Sequence, residues 1–434
     1  MGARKQVGFS NRSAQPDRPS VTDLCNMATP IVWHRSNTPL EEQWDDRRAK
    51  RSKTARFTCT EGPAHWTNFS YPVEGTERAI PRRRLFPDTS RERMTTTTEA
   101  LSSRSWLQID TEAEIGSLTA SMREQLAGPL KRRGFVVGMS GGVDSSVAAG
   151  LAVAAVGPKK VFGIFMPERD SDPRSLELAR EWADKLGIEY AVEDIAPALA
   201  ALGCYTRRDE AIARVVPGYG PGWKSKIVLP GDRLNSDRLN TFSIVVESPE
   251  GEQSTHRLPP AEYRVIVAAT NFKQRVRKML EYYHADRLHF AVIGTPNRLE
   301  YDQGFFVKGG DGLADSKPMA HLYKTQVYAL ASALGVPRGV TDRPSTTDTY
   351  SLPQSQEEFY FVLPARTMDL VLYAHNHAMA AAEAATALGL TAEQVERAYR
   401  EIEQKRSTTR YLHLGPILAE PVSELHLHDD EAAR

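Results

Sequence analysis

Gly138-Met139-Ser140-Gly141-Gly142-Val143-Asp144-Ser145-Ser146 lies between two apolar runs of different character. Before it, Phe135-Val136-Val137 is aromatic and β-branched and predicts a buried strand. After it, Val147–Val156 is Ala-rich and predicts a buried helix. A strand, a Gly/Ser turn and a helix N-terminus together make an anion site, because unpaired N–H groups and the positive end of the dipole face the turn. Gly141 and Gly142 let the backbone approach a phosphate with no Cβ in the way. Ser140 and Ser145 add hydroxyl donors, and Asp144 adds a carboxylate able to hold Mg²⁺. The Walker pattern requires a Lys after its glycines, and none follows here. A lone Gly-Gly pair would read as an ordinary turn; the whole string, so placed, reads as a phosphate loop.

Outward from the loop the chain alternates. Val161–Met166 predicts a second strand, Pro173–Leu186 a helix stopped by Gly187, and Ile188–Val192 a third strand. The order β-α-β-α-β implies an α/β fold with a doubly wound parallel sheet, its ligands beyond the strands' C-terminal ends. An amphipathic helix over Ile109–Arg132 leads in, with Ile115, Leu118, Met122, Leu126 and Leu130 at three- and four-residue steps. Residues 221–264 break the pattern. Ile227-Val228-Leu229 and Thr241–Val246 predict strands and Pro249–Glu252 a turn, so a small β insertion on the sheet's edge is expected. A helix over Ala261–Tyr283 and a strand over Leu288–Ile293 resume the alternation. Gly294–Asp315 predicts a long functional loop, and Leu322–Leu334 a helix closed by Gly335 and Pro337. C-terminal helices are predicted over Met368–Leu388 and Ala392–Lys405.

Composition sets the outer bounds. With 55 basic and 55 acidic residues among 434 the formal charge is zero, which disfavours nucleic acid as a partner. No apolar run has the length of a membrane span and no secretory leader is visible at the start. Cys25, Cys59 and Cys204 have no metal-ligand spacing, so a reducing cytoplasm is expected. Residues 1–95 are rich in Arg, Pro, Ser and Thr, have no apolar period and predict a disordered basic tail, with Met94 as an alternative start. Residues 96–420 would be the folded domain and 421–434 an acidic tail.

The string Ser140-Gly141-Gly142-Val143-Asp144-Ser145 resembles the pyrophosphate loop of the N-type ATP pyrophosphatases, which have a Rossmann-like adenine nucleotide alpha hydrolase fold. Four later segments resemble ammonia-dependent NAD synthetases: Asn271–Arg277, Gly294–Glu300, Gly304–Asp315 and Pro318–Gln326. That family adenylates deamido-NAD with ATP and lets ammonia displace AMP. Carboxylate attack on a polyanion needs positioned cations and Mg²⁺. The resemblance implies that Gly138, Met139, Ser140, Gly141, Gly142, Val143, Asp144 and Ser145 bind ATP. Met166 beside the adenine, and Thr295 and Lys324 at the phosphates, would complete that set. Asp144 and Glu300 would hold Mg²⁺, and Asp311 would help ammonia lose its proton. Arg275, Lys308 and Asp315 would hold deamido-NAD, with Phe305 or Phe306 against its pyridine ring.

The departures fall mostly on the acceptor side. One residue is extra in Pro344–Thr349, so the ATP-contacting hydroxyl is Ser345 or Thr346. The family's H-K-R lid string appears as Gln404-Lys405-Arg406, with Gln404 and Lys405 as substrate contacts. Residues 221–264 and 351–363 have no clear counterpart. The resemblance further implies a homodimer. Without a glutaminase constellation in folded context, ammonia would be free or come from a separate glutaminase. The competing readings are a related ligase adenylating another carboxylate and a catalytically silent nucleotide-binding protein.

Overall fold

Three crossovers build the sheet that carries the loop. In the computed structural model, which describes residues 105–229, 242–343, 349–361, 363–420 and 422, strands β1 (Phe135–Gly138), β2 (Val161–Phe165) and β3 (Glu189–Val192) run parallel. Strand β7 (Ala291–Ile293) pairs with the other side of β1, giving the order β3-β2-β1-β7. The predicted tail 1–95, the start at Met94, Ser345 and Thr346, and the predicted 421–434 tail apart from Val422 lie outside the described residues.

Helices cover both faces. Helix α1 (Thr111–Ala127) is N-capped by Asp110 and buries Leu118, Met122 and Leu126 against α2 (Val143–Val156). Helix α2 is apolar all round, with Val147, Ala148, Leu151 and Ala152 fully buried, as a helix enclosed by a sheet and its neighbours must be. Helix α3 (Pro173–Leu186) matches its sequence prediction at both ends. Asp172 caps it, Pro173 opens it and Gly187 closes it in the left-handed region. Its Trp182 donates Nε1–H to the carbonyl of Ser146 at 2.8 Å, tying α3 to α2. Each such fully buried side chain is worth about 1.5–3 kcal/mol.

Several elements differ from expectation. Two further helices, α4 (Ala196–Ala201) and α5 (Cys204–Ala213), follow β3, where no strong apolar stripe marks them. The insertion is not on the parallel sheet's edge. Strands β4 (Lys224–Val228), β5 (Ser243–Glu247) and β6 (Gln253–Arg257) form a separate antiparallel sheet. It buries Ile227, Ile244 and Val246 against Ile212 of α5 and Ile266 of α6 (Pro260–Leu288), because its alternating apolar face finds partners there. Helix α6 also absorbs the start of the predicted strand, with His289 capping it in the left-handed region.

The long loop before Asp315 contains a short helix, α7 (Arg298–Gln303), and α8 (Lys324–Ala333) follows it. Beyond the short turns α9 (Arg338–Thr341) and α10 (Gln356–Phe359), the predicted Met368–Leu388 helix is two, α11 (Ala365–Asn376) and α12 (Ala381–Leu388). Ala378 adopts φ of 53°, which no continuous helix accommodates. The last helix, α13 (Ala392–His413), has the capping box Thr391–Gln394 and runs past the predicted end at Lys405.

Candidate active site

The phosphate loop is shaped by two glycines. Gly141 has φ of 74°, and a Cβ there would lie 2.2 Å from the Ser175 carbonyl oxygen. A Cβ on Gly138 would lie 2.8 Å from the Glu281 carboxylate, which pairs with Lys278 under the loop at 2.6 Å. The Ser140 N–H donates to Ser145 Oγ at 3.2 Å, and Ser145 and Ser146 donate to the Gly142 carbonyl at 3.1 and 2.9 Å. These bonds hold the turn with Gly142 as the N-cap of α2, its helix end facing the cleft.

Three elements bring Asp144, Glu300 and Lys324 together. Asp144 stands in the first turn of α2. Asn297 caps α7 in a reciprocal capping box with Glu300, and its side-chain amide donates to Asp144 Oδ1 at 3.0 Å. Lys324 opens α8, where its backbone N–H donates to Asp369 at 3.1 Å and its ammonium donates to Asp144 Oδ2. Gln356 donates to the other face of Glu300 at 3.0 Å. Burial and the Asp144 charge push the Glu300 carboxyl above the usual carboxylate range, against the pull of Lys324. Burial draws the Lys324 ammonium down, but Asp144 and Glu300 outweigh it and hold it above its ordinary value. Two acids therefore share one cation.

Two cavities meet at the loop. One, of about 510 Å³, runs past Asp144 and Glu300 to Arg275, Phe305, Phe306 and Lys308. The other, of about 560 Å³, is lined by Gly138, Met139, Met166, Pro167 and Arg277. Ser140, Ser145, Thr295 and Asp311 line both. Asp311 accepts from the Val307 N–H at 2.8 Å, and burial raises its pKa.

Other predicted contacts are engaged elsewhere. Lys308 donates to the carbonyls of Tyr411 and Leu414 at the end of α13, each at 2.6 Å, and Arg275 donates to the Lys308 carbonyl at 3.3 Å. Asp315 accepts from the Val292 N–H at 2.8 Å and from Tyr282 at 3.1 Å. Lys405 donates to the Tyr360 carbonyl and to Glu401, both at 2.8 Å, and Gln404 is exposed. Asp315, Gln404 and Lys405 do not line either cavity. Phe305 stacks on Tyr360 with centroids 4.7 Å apart.

A second charge cluster escaped sequence reasoning. Lys273 of α6, fully buried, donates to Glu168 and Asp170 at 2.8 Å each and to the Thr349 carbonyl at 2.7 Å. Arg208 pairs with Asp170, and Tyr205 donates to Glu168 at 2.8 Å. The network pins the loop after β2, part of the second cavity's wall. The capping motif Asn297-x-x-Glu300 was visible in the sequence and would have disclosed α7 and the group that orients Asp144.

A parallel sheet with a Gly/Ser loop at a topological switch and two cavities meeting there defines a nucleotide-binding α/β protein. The NAD synthase family model matches residues 114–215 and 248–411. The NH(3)-dependent NAD(+) synthetase of Rhizobium meliloti (strain 1021) is 59% identical over 319 residues, covering 74% of this chain and 95% of that protein. The enzyme of the same name from Thermotoga maritima is 35% identical over 240 residues, 55% of this chain and 79% of that protein. The structure of NMN synthetase from Francisella tularensis shares the fold at 21% identity with a TM-score of 0.50, covering 72% of this chain and 100% of that one. The chain belongs to the NAD synthase family, ligases that form a carbon–nitrogen bond from ammonia.

Proposed function

We propose that this chain amidates deamido-NAD with ammonia at the expense of ATP, giving NAD, AMP and pyrophosphate. The observation that carries the reading is a pair of cavities that share Ser140, Ser145 and Thr295, with Asp144 and Glu300 in the wall of the first and Lys324 paired with Asp144 behind that wall. ATP takes the Met166 cavity for its adenine and lays its phosphates on the N–H groups of the loop. The acceptor takes the cavity with Arg275 and Lys308, its carboxylate toward Asp144.

Lys324, paired with Asp144 and lining neither cavity, offsets the negative charge of Asp144 and Glu300 beside the reacting groups and so lowers the repulsion met by the carboxylate nucleophile and the α-phosphate. Thr295, lining both cavities, is placed to touch groups from each side. Asp311, with its pKa raised by burial, is suited to accept a proton from ammonium or from the attacking amine. The residues fit Mg²⁺: two carboxylates stand by one ammonium, and the raised proton affinity of Glu300 is what a hard cation beside it relieves. Asp144 and Glu300 would hold it, and when bound it would neutralise phosphate charge.

Residues 96–420 are read as the catalytic unit. Met279 and Tyr283, 62% and 59% exposed one turn apart on α6, form an apolar face that a homodimer would cover. No described helix is long and apolar enough to cross a membrane.

The test is AMP and pyrophosphate release from ATP with ammonium and a set of carboxylates that includes deamido-NAD. Product with deamido-NAD is expected. Turnover with a different carboxylate and none with deamido-NAD would replace this reading with that of another amide ligase.

A further inference from the structure

The family model leaves residues 216–247 unmatched, a span that contains β4, β5 and Phe242. The described residues of that span, 216–229 and 242–247, are not a loose appendage. The Ser225 N–H donates to Ser351 Oγ at 2.8 Å, the Leu352 N–H to the Ser225 carbonyl at 3.2 Å, and Lys226 to the Pro353 carbonyl at 3.2 Å. Ile227, Ile244 and Val246 share a buried cluster with Ile212, Ile266 and Tyr350. Ordering such a segment costs backbone entropy, which this packing offsets. Strands β4 and β5 are therefore held at a fixed position relative to the cleft.

One of its side chains reaches the cleft. Phe242 and Tyr263 line the 510 Å³ cavity that also holds Asp144 and Arg275. Their rings stack with centroids 4.1 Å apart at 16°. Tyr350 and Phe359 continue the aromatic wall, 5.7 Å apart, and Phe359 meets Phe305 at 6.0 Å. Phe242, Tyr263 and Phe359 remain partly exposed, so ring surface is left for a ligand.

We propose that the Phe242–Tyr263 pair stacks on the adenine of the acceptor and so selects a dinucleotide over a mononucleotide. This rests on the reading of the acceptor as deamido-NAD. The nicotinate carboxylate must reach the α-phosphate, which places the pyridine near Asp144 and Phe305. ATP's own adenine has the separate cavity lined by Met166 and Pro167. The planar group that remains to be housed is the acceptor's second base, and aromatic faces bind a base without needing matched hydrogen bonds.

The experiment compares kcat/KM for deamido-NAD with that for nicotinate mononucleotide, in wild type and in Phe242→Ala, Phe242→Leu and Phe242→Trp. Wild type should favour the dinucleotide. Phe242→Ala and Phe242→Leu should lower that preference roughly ten- to a hundredfold, the worth of one base–aromatic stack. The ATP KM should barely move, and Phe242→Trp should retain the preference. Leu keeps apolar bulk in the insertion core while removing the ring face, so it decides the matter should the Ala variant unfold. An unchanged preference in a folded Phe242→Leu protein overturns the inference. No turnover of deamido-NAD by wild type overturns the parent reading first, before any variant is made.

Discussion

Two buried charge clusters among the described residues, one beside each cavity, are built on opposite plans. Around Lys273 the charges close: Lys273 and Arg208 face Glu168 and Asp170, and a carbonyl and a phenol take up remaining hydrogen-bonding capacity. Around Lys324 they do not: one ammonium serves Asp144 and stands by Glu300, and Glu300 is pushed toward holding a proton. A closed cluster positions backbone. An open one, facing the first cavity through Asp144 and Glu300, leaves negative charge unbalanced there. Burial alone would not have separated them, since Lys273 and Lys324 are 0% and 2% exposed.

The comparison breaks if the closed cluster can be opened at little cost. Lys273→Met leaves two buried carboxylates with only Arg208 and should cost about 3–5 kcal/mol, read as a lowered Tm. A small shift would mean that the network is not structural.

Asp144→Asn should do the reverse. Turnover should fall by about a hundredfold or more, as when a preorganised charge partner is lost, with a raised Mg²⁺ requirement and little loss of Tm. Unchanged activity at low Mg²⁺ would take Asp144 out of the site.

A smaller effect concerns acid. Burial raises Asp170, but Lys273 and Arg208 outweigh it and hold its pKa at about 2 against an ordinary 3.8. The folded value is the lower one, so its contribution to stability is complete above about pH 4. It fades as pH falls toward 2, because the unfolded chain takes up the proton first, and it amounts to about 2 kcal/mol. Denaturation midpoints between pH 5 and 2 measure it, and Asp170→Asn should flatten that part of the profile.

Legibility in the sequence followed the range of the interactions. The phosphate loop and α3 were readable because their determinants are local: Gly141 for a positive φ, and Asp172, Pro173 and Gly187 for helix ends. The interrupted helix at Ala378 was not, since Ala is the strongest helix former and only the surrounding packing turns it. Lys273 could not be read as buried, for its acids lie 105 and 103 residues away. The site motifs pointed to a phosphate end, yet gave no account of the aromatic wall. Phe242 faces the cleft only because the antiparallel sheet packs on α5 and α6 rather than on the parallel one.

The pairing of β1 with β7 joins Phe135 to Ala291, and Asp144 meets Lys324 across 180 residues. During synthesis the loop and its helix leave the ribosome long before either partner exists. Local turns form first, and contacts of such sequence separation come late because loop closure precedes any gain from them. The half that carries the phosphate loop therefore spends time with one edge of β1 unpaired, a period in which a parallel sheet is most open to wrong partners. Catalytic competence arrives as a last event of folding, and a truncated chain ending before Ala291 carries the signature loop without an enzyme around it.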